Sequence, residues 1–282
     1  MSNSLTPQKA ANRLNKIVEA VCHQLQMDRF PVDVSRLAME AANIFQWKDP
    51  ITEIQAAAIQ NFEGALFSND SRSAWLLLYN SRITSPGRIR FTQAHELGHY
   101  ILHREYKDEF QCTDADMHNW DVENIEAQAD VFASYLLMPL DDYRRQLTAE
   151  VDLDVLGHCA DRYGVSLTAV ILKWLEHTEE NAVLIVSRDG FIDWSKASTR
   201  AMQAGAFFKT KNNTIPVPNA SVAANTSVVH DRLGVEIPAQ IWFPHAHPDM
   251  SLLEMKLYSE QYDCIFTILK LPRYATVWEP WK

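Results

Sequence analysis

Between Thr6 and Gln26 the apolar residues Ala10, Leu14, Ile17, Val18, Val21 and Leu25 recur at helical spacing, with Thr6 as N-cap and Pro7 at the first helical position. The pattern predicts an amphipathic helix. After Phe30-Pro31, Asp33 caps a second helix whose inward face includes Leu37, Ala38, Ala41 and Ile44. Short β-compatible runs follow at Ile59 to Phe67 and Ala74 to Asn80, on either side of the turn-forming Ser68-Asn69-Asp70-Ser71, and predict a strand pair. Ser85-Pro86-Gly87 breaks the chain. Helical spacing returns near Phe91 or Thr92 and turns Ala94, Leu97, Gly98 and Ile101 toward a core. Another helix, Val122 to Leu137, buries Ile125, Ala129, Phe132, Ala133 and Leu136 and stops at Pro139.

Leu153 to Tyr163, Gly164-Val165-Ser166 and Leu167 to His177 read as helix, turn and helix, and Glu179-Glu180-Asn181 marks a boundary. Strands are expected at Ala182 to Val186, Phe191 to Trp194, Ile241 to Phe243, Leu253 to Tyr258 and Cys264 to Leu271. The expectation is an α+β chain in three parts: residues 1–150, helical with a small sheet; residues 151–180, a helical pair; and residues 181–282, a smaller β-rich α+β domain of unassigned role.

Composition narrows the class. With 282 residues, 47% hydrophobic and 22% charged, the chain can build one large or two modest globular domains. No run approaches the roughly 18 to 20 apolar residues of a membrane-spanning helix, and Ala169 to Leu175 is interrupted by Lys173. The first residues carry Lys9, Arg13 and Lys16 without an apolar block or cleavage pattern, so a cytoplasmic protein is expected, without membrane attachment. Cys22, Cys112, Cys159 and Cys264 never form a C-x-x-C pair, which disfavours both a cysteine metal site and a disulfide framework. Residues 1–180 hold 16 Lys+Arg against 27 Asp+Glu, whereas residues 181–282 hold 10 against 9. An acidic first part disfavours contact with nucleic-acid phosphates.

The segment Phe91-Thr92-Gln93-Ala94-His95-Glu96-Leu97-Gly98-His99-Tyr100 contains H-E-x-x-H on a predicted helix. Histidines one turn apart share a helix face, so both imidazoles can reach one Zn²⁺, and Glu96 projects beside them as a proton acceptor. A catalytic zinc needs a third protein ligand. His103 lies two turns from His95, about 12 Å along the axis, too far to share the ion, and is read as a supporting or packing histidine. Glu105 stands where a metzincin would carry its third histidine, which disfavours that branch. On the following helix Glu126 and Asp130 share a face; Glu126 can complete the ligands, with Glu123 as runner-up, and Asp130 can accept the other ring N–H of one histidine, most naturally His95. An ordinary solvated acidic face is the competing reading of Glu123, Glu126 and Asp130 taken alone.

These pieces together resemble the ImmA/IrrE metallo-endopeptidases. The match runs in order through Phe30-Pro31-Val32-Asp33 with Leu37-Ala38, Arg90-Phe91-Thr92 ahead of His95-Glu96-Leu97-Gly98-His99, and Glu126-Ala127-Gln128-Ala129-Asp130-Val131-Phe132-Ala133 leading to Leu136-Leu137-Met138-Pro139, over about the first 180 residues. The resemblance implies a zincin-like fold, one metal on His95, His99 and Glu126, Glu96 as catalytic base, and cleavage of a helix-turn-helix transcriptional repressor as substrate. Zn²⁺ is the expected cofactor, with Mn²⁺ as the alternative. Stress-response relatives carry a similar helical pair and a sensory-type terminal domain.

Two rival readings remain at this level: a DNA-binding regulator built on the pair at 153–177, and a proteolytically inactive protein that binds a partner. Arg162 and Lys173 alone stand against Asp154, Asp161 and Glu176 in that pair, so direct DNA binding is disfavoured. Glu63 to Phe67 is expected to offer a strand edge to an extended substrate. Tyr100, His118 and Tyr135 are among the candidate oxyanion donors, none of them singled out. In the last part, Trp194, Phe207, Phe208, Trp242, Trp278 and Trp281 read as core or as a ligand or partner surface, and His245 and His247 read as surface histidines.

Overall fold

A computed structural model describes residues 6–58, 62–112, 125–148 and 150–279. The chain is α+β and divides into two compact units, residues 1–146 with 159–166, and residues 147–158 with 167–282.

In the first unit, helix α1 (Pro7–Leu25) starts as predicted, the Thr6 hydroxyl accepting from the Lys9 amide. Its buried face is Ala10, Ala11, Leu14 and Asn15; Val21 and Leu25 lie exposed, so the apolar stripe read from spacing is used only over its first half. Helix α2 (Val34–Phe45) is capped by Asp33 and buries Leu37, Ala38 and Ala41, with Ile44 half-buried. Strand β1 (Ile51–Ala57) was not expected: Thr52, Glu53 and Gln55 interrupt its apolar residues, and only Ile51 is fully buried in this edge strand. Strands β2 (Gly64–Ser68), β3 (Trp75–Asn80) and β4 (Glu109–Cys112) complete a mixed sheet in the order β1-β3-β2-β4, with β1 and β3 parallel and the other pairs antiparallel.

This order corrects one expectation. Of Glu63 to Phe67, residues 64–67 belong to an interior strand whose backbone is paired on both sides, with β3 and with β4, so this stretch has no edge to lend to a substrate. Among the described residues, the edges of this sheet are β1 and β4.

Helix α3 (Pro86–His103) begins five residues before the expected start. Ser85 is its N-cap and Pro86 its first residue, so Ser-Pro-Gly is a helix-initiation signal here and not a chain break. Helix α4 (Ile125–Leu137) buries Ala129, Phe132, Ala133 and Leu136 as predicted, and Pro139 separates it from the short α5 (Leu140–Gln146). The expected start at Val122 lies outside the described residues. Helices α6 (Leu153–Tyr163) and α7 (Leu167–His177) match the expected pair, with Gly164 at a φ of +59° in the turn.

The second unit holds an antiparallel sheet ordered β6-β5-β9-β8-β7, made of β5 (Asn181–Arg188), β6 (Phe191–Ala197), β7 (His230–Pro238), β8 (Ser251–Ser259) and β9 (Cys264–Leu271). Helix α8 (Thr199–Gln203) follows β6. Two expectations fail. Residues 241–243 are not a strand: Ala239–Ile241 forms a 3₁₀ turn that sends Trp242 and Phe243 into the core. Strand β7 was missed because its charged, glycine-containing sequence lies at the sheet edge, with a register shift between Asp231 and Val235. The Trp242 indole donates to the buried Glu254 carboxylate at 2.9 Å, and burial holds that carboxylate above the ordinary range. Trp278 is 53% exposed, and His245 and His247 are exposed as expected. Trp281 lies outside the described residues. Among the described residues no helix is long and apolar enough to cross a membrane.

Candidate metal centre

Helix α3 is buried on nearly every side: every residue from Thr92 to Ile101 is buried, between the sheet and helices of the first unit. His95, Glu96 and His99 are 1%, 0% and 0% exposed. Polar side chains taken from water at such a place cost free energy unless their atoms are engaged, so the trio calls for a chemical reason.

The geometry supplies one. His95 Nε2, His99 Nε2 and Glu126 Oε2 form a triangle with sides of 3.0, 3.1 and 3.2 Å. A tetrahedral zinc with bonds of 2.0 to 2.1 Å has ligand-to-ligand edges of about 3.3 Å, so three donors already stand close to the spacing of one face of that tetrahedron. Two imidazole nitrogens and a carboxylate oxygen also suit a borderline cation such as Zn²⁺. The donor set fits the metal that the motif implies. Glu126 and Asp130 keep 14% and 15% side-chain exposure, so solvent reaches the carboxylate edge of the cluster.

The other nitrogen of His95, Nδ1, lies 2.8 Å from Asp130 Oδ1. Burial opposes a charge on this ring, but its hydrogen bonds with Asp130 and Glu126, reinforced by nearby carboxylate charge, outweigh that and raise its pKa to about 10. His99 goes the other way: burial dominates, the Glu126 hydrogen bond offsets it only partly, and the pKa falls to about 4. Without a cation, the carboxylates thus favour the charged form of His95, and burial favours the neutral form of His99.

Close helix packing brings Glu126 to the histidines. A Cβ on Gly98 of α3 would lie 3.0 Å from Phe132 and 3.2 Å from the Ala129 backbone of α4, so any larger residue there would require α4 to give way by a few tenths of an ångström. Gly64 plays a similar part from the sheet, where an added Cβ would meet Glu96 Oε1 and Thr92 Cγ2 at 2.5 Å. The Glu96 carboxylate thus lies directly against the backbone of β2.

Three neighbours surround the site: His103, expected as a supporting or packing histidine, and Phe110 and Gln128, which were not read as part of it. Phe110 of β4 stacks on His99 with ring centroids 4.5 Å apart. His103 is buried, with its pKa lowered chiefly by that burial, and its Nδ1 lies 3.1 Å from His99 Nδ1. Gln128 faces His103 from α4. Phe110 and Gln128 carry no local sequence signal, since only the fold brings them to the histidines. Of the oxyanion candidates, Tyr100 donates its hydroxyl to the Asp49 carbonyl at 2.8 Å, and Tyr135 is half-buried. His118 and the runner-up ligand Glu123 lie outside the described residues.

An α+β domain in which two histidines of a buried H-E-x-x-H helix meet a glutamate from the next helix is the arrangement expected of a zincin-like metallopeptidase. Residues 48–175 match the family model Peptidase_M78, described as the IrrE N-terminal-like domain, in agreement with the resemblance to the ImmA/IrrE metallo-endopeptidases. Phe30-Pro31-Val32-Asp33, part of the motif resemblance, lies outside the matched stretch. No curated protein matches the chain.

Proposed function

We propose that this protein is a zinc-dependent endopeptidase of restricted specificity, with Mn²⁺ as the alternative metal. It acts in the cytoplasm on a regulatory protein, a helix-turn-helix transcriptional repressor, in a stress or mobile-element response. The convergence of His95, His99 and Glu126, with Glu96 on the same helix turn, carries this reading. The matched domain gives it a peptidase context.

His95, His99 and Glu126 would hold the cation. When bound, it supplies Lewis-acid polarisation of the scissile carbonyl and lowers the pKa of water toward about 7. Glu96, held against Gly64, accepts the proton of the attacking water and delivers it to the leaving amine. Asp130 fixes the ring orientation of His95. A role on DNA is opposed by the engagement of the two cations in the helical pair: Arg162 makes two hydrogen bonds to Asp142, at 2.7 and 2.9 Å, and Lys173 is 1% exposed.

The test is incubation of zinc-loaded protein with the repressor encoded beside it, comparing wild type with Glu96→Gln. The variant is expected to keep its metal and to lose cleavage by about 10²- to 10⁴-fold. Unchanged cleavage overturns the role of Glu96. Repressor left intact by the metal-loaded wild type favours a partner-binding protein, and retarded duplex DNA at physiological salt favours the regulator.

A further inference from the structure

The ring of His99 is held from its far side by a chain of neutral groups. His99 Nδ1 lies 3.1 Å from His103 Nδ1, and His103 Nε2 lies 3.3 Å from Gln128 Oε1 on the facing helix. Two facing ring nitrogens need one proton between them, and Gln128 decides which ring supplies it. Its amide oxygen is only an acceptor, so His103 carries its proton on Nε2 and presents a lone pair at Nδ1. His99 then donates from Nδ1 and keeps Nε2 bare, and this is the atom 3.0 Å from His95 Nε2 and 3.1 Å from Glu126 Oε2. The reverse amide orientation would put a hydrogen on His99 Nε2, inside the donor triangle. Phe110 covers the pair, with its ring centroid 4.5 Å from His99 and 6.1 Å from His103, and His103 is only 3% exposed, so water is a poor substitute for the histidine acceptor.

We propose that His103, backed by Gln128, is a positioning residue for the metal centre, accepting the Nδ1 proton of His99 and so aiming its Nε2 lone pair at the position shared with His95 and Glu126. This rests on the reading of His95, His99 and Glu126 as ligands. The two histidines are then oriented by different means, His95 by a carboxylate and His99 by an imidazole and an amide.

The test measures Zn²⁺ affinity by competition with a chromophoric chelator, together with the tautomer of His99 in metal-free protein by long-range ¹⁵N–¹H correlation. His103→Phe keeps bulk but removes the acceptor, and is expected to weaken Zn²⁺ binding about 10- to 100-fold and to shift His99 toward its Nε2–H tautomer. His103→Asn restores an acceptor oxygen near the former Nδ1, and should regain most of the affinity and the Nδ1–H tautomer. Gln128→Leu is expected to cost about 10-fold, and it carries the test alone if His103→Phe does not fold. Wild-type affinity in His103→Phe, equal losses in His103→Phe and His103→Asn, or an unaffected Gln128→Leu overturns the proposal. If the wild type takes up no stoichiometric Zn²⁺, or His99→Ala binds it as tightly as wild type, the ligand reading itself fails and the proposal falls with it. Wild-type uptake that needs His99 but ignores His103 and Gln128 sinks the positioning role alone.

Discussion

Glu96 is placed by an absence, the missing side chain of Gly64. A methyl group there would meet the Glu96 carboxylate and the Thr92 methyl at 2.5 Å, and the carboxylate is the end of the longer, more flexible side chain. Gly64→Ala is therefore expected to displace the general base while the three ligands stay in place. Proteolysis should fall by about 100-fold, as for a misplacement on the order of 1 Å, with Zn²⁺ binding unchanged. Steady-state cleavage and chelator competition on the same preparation check this, and a fall in metal affinity matching the fall in rate would refute it. Asp130→Asn tests the other side of the site, since it leaves a weaker acceptor at 2.8 Å from His95 Nδ1. Its Zn²⁺ affinity should drop by about 10- to 100-fold.

Between elements, the approach of α3 and α4 matters most. Gly98 lies against Ala129 and Phe132, so Gly98→Ala should force the helices apart at a cost of about 1–3 kcal/mol and weaken metal binding by moving Glu126. Urea unfolding and Zn²⁺ titration would show both losses together; a stability loss without a binding loss would mean that Glu126 is placed independently of this contact. Elsewhere in the first unit, Asp142 of α5 accepts from Arg162 and from the Tyr163 hydroxyl, the latter at 2.7 Å. Burial pushes its pKa up, but these hydrogen bonds and the charge of Arg162 outweigh burial and hold it below the ordinary value of 3.8. A carboxylate depressed in the folded state contributes stability above its unfolded pKa and loses it as pH falls through the folded one. Asp142→Asn should therefore cost about 1–3 kcal/mol at pH 7, and the gap to wild type should close as pH falls below about 3.8. Urea melts across that range decide it, and a gap that persists in acid would refute the assignment.

At the scale of the whole molecule, a cation bound only by the folded state adds to stability by mass action, about 2.7 kcal/mol at a free concentration 100 times Kd. Calorimetry should show a transition that falls on chelation and recovers with Zn²⁺, and no such response in His99→Ala. A response that survives in His99→Ala would place the metal elsewhere.

Much of this was open to reading along the chain because the controlling signals are local. Helix periodicity and caps located α1, α2 and the helical pair, while H-E-x-x-H and E-x-x-x-D put the candidate ligands and their partner at fixed offsets on helix faces. Ser85-Pro86 misled only because a cap and a break use the same residues. Edge strands β1 and β7 escaped because a strand with one paired side and much exposed surface need not alternate apolar and polar residues. The tertiary structure alone decided that β2 is interior, that Gly64 backs Glu96, and that Phe110, His103 and Gln128 enclose His99. Those facts depend on how separate elements pack and on the sub-ångström fit of side chains between them, and periodicity within one element carries no record of its neighbour.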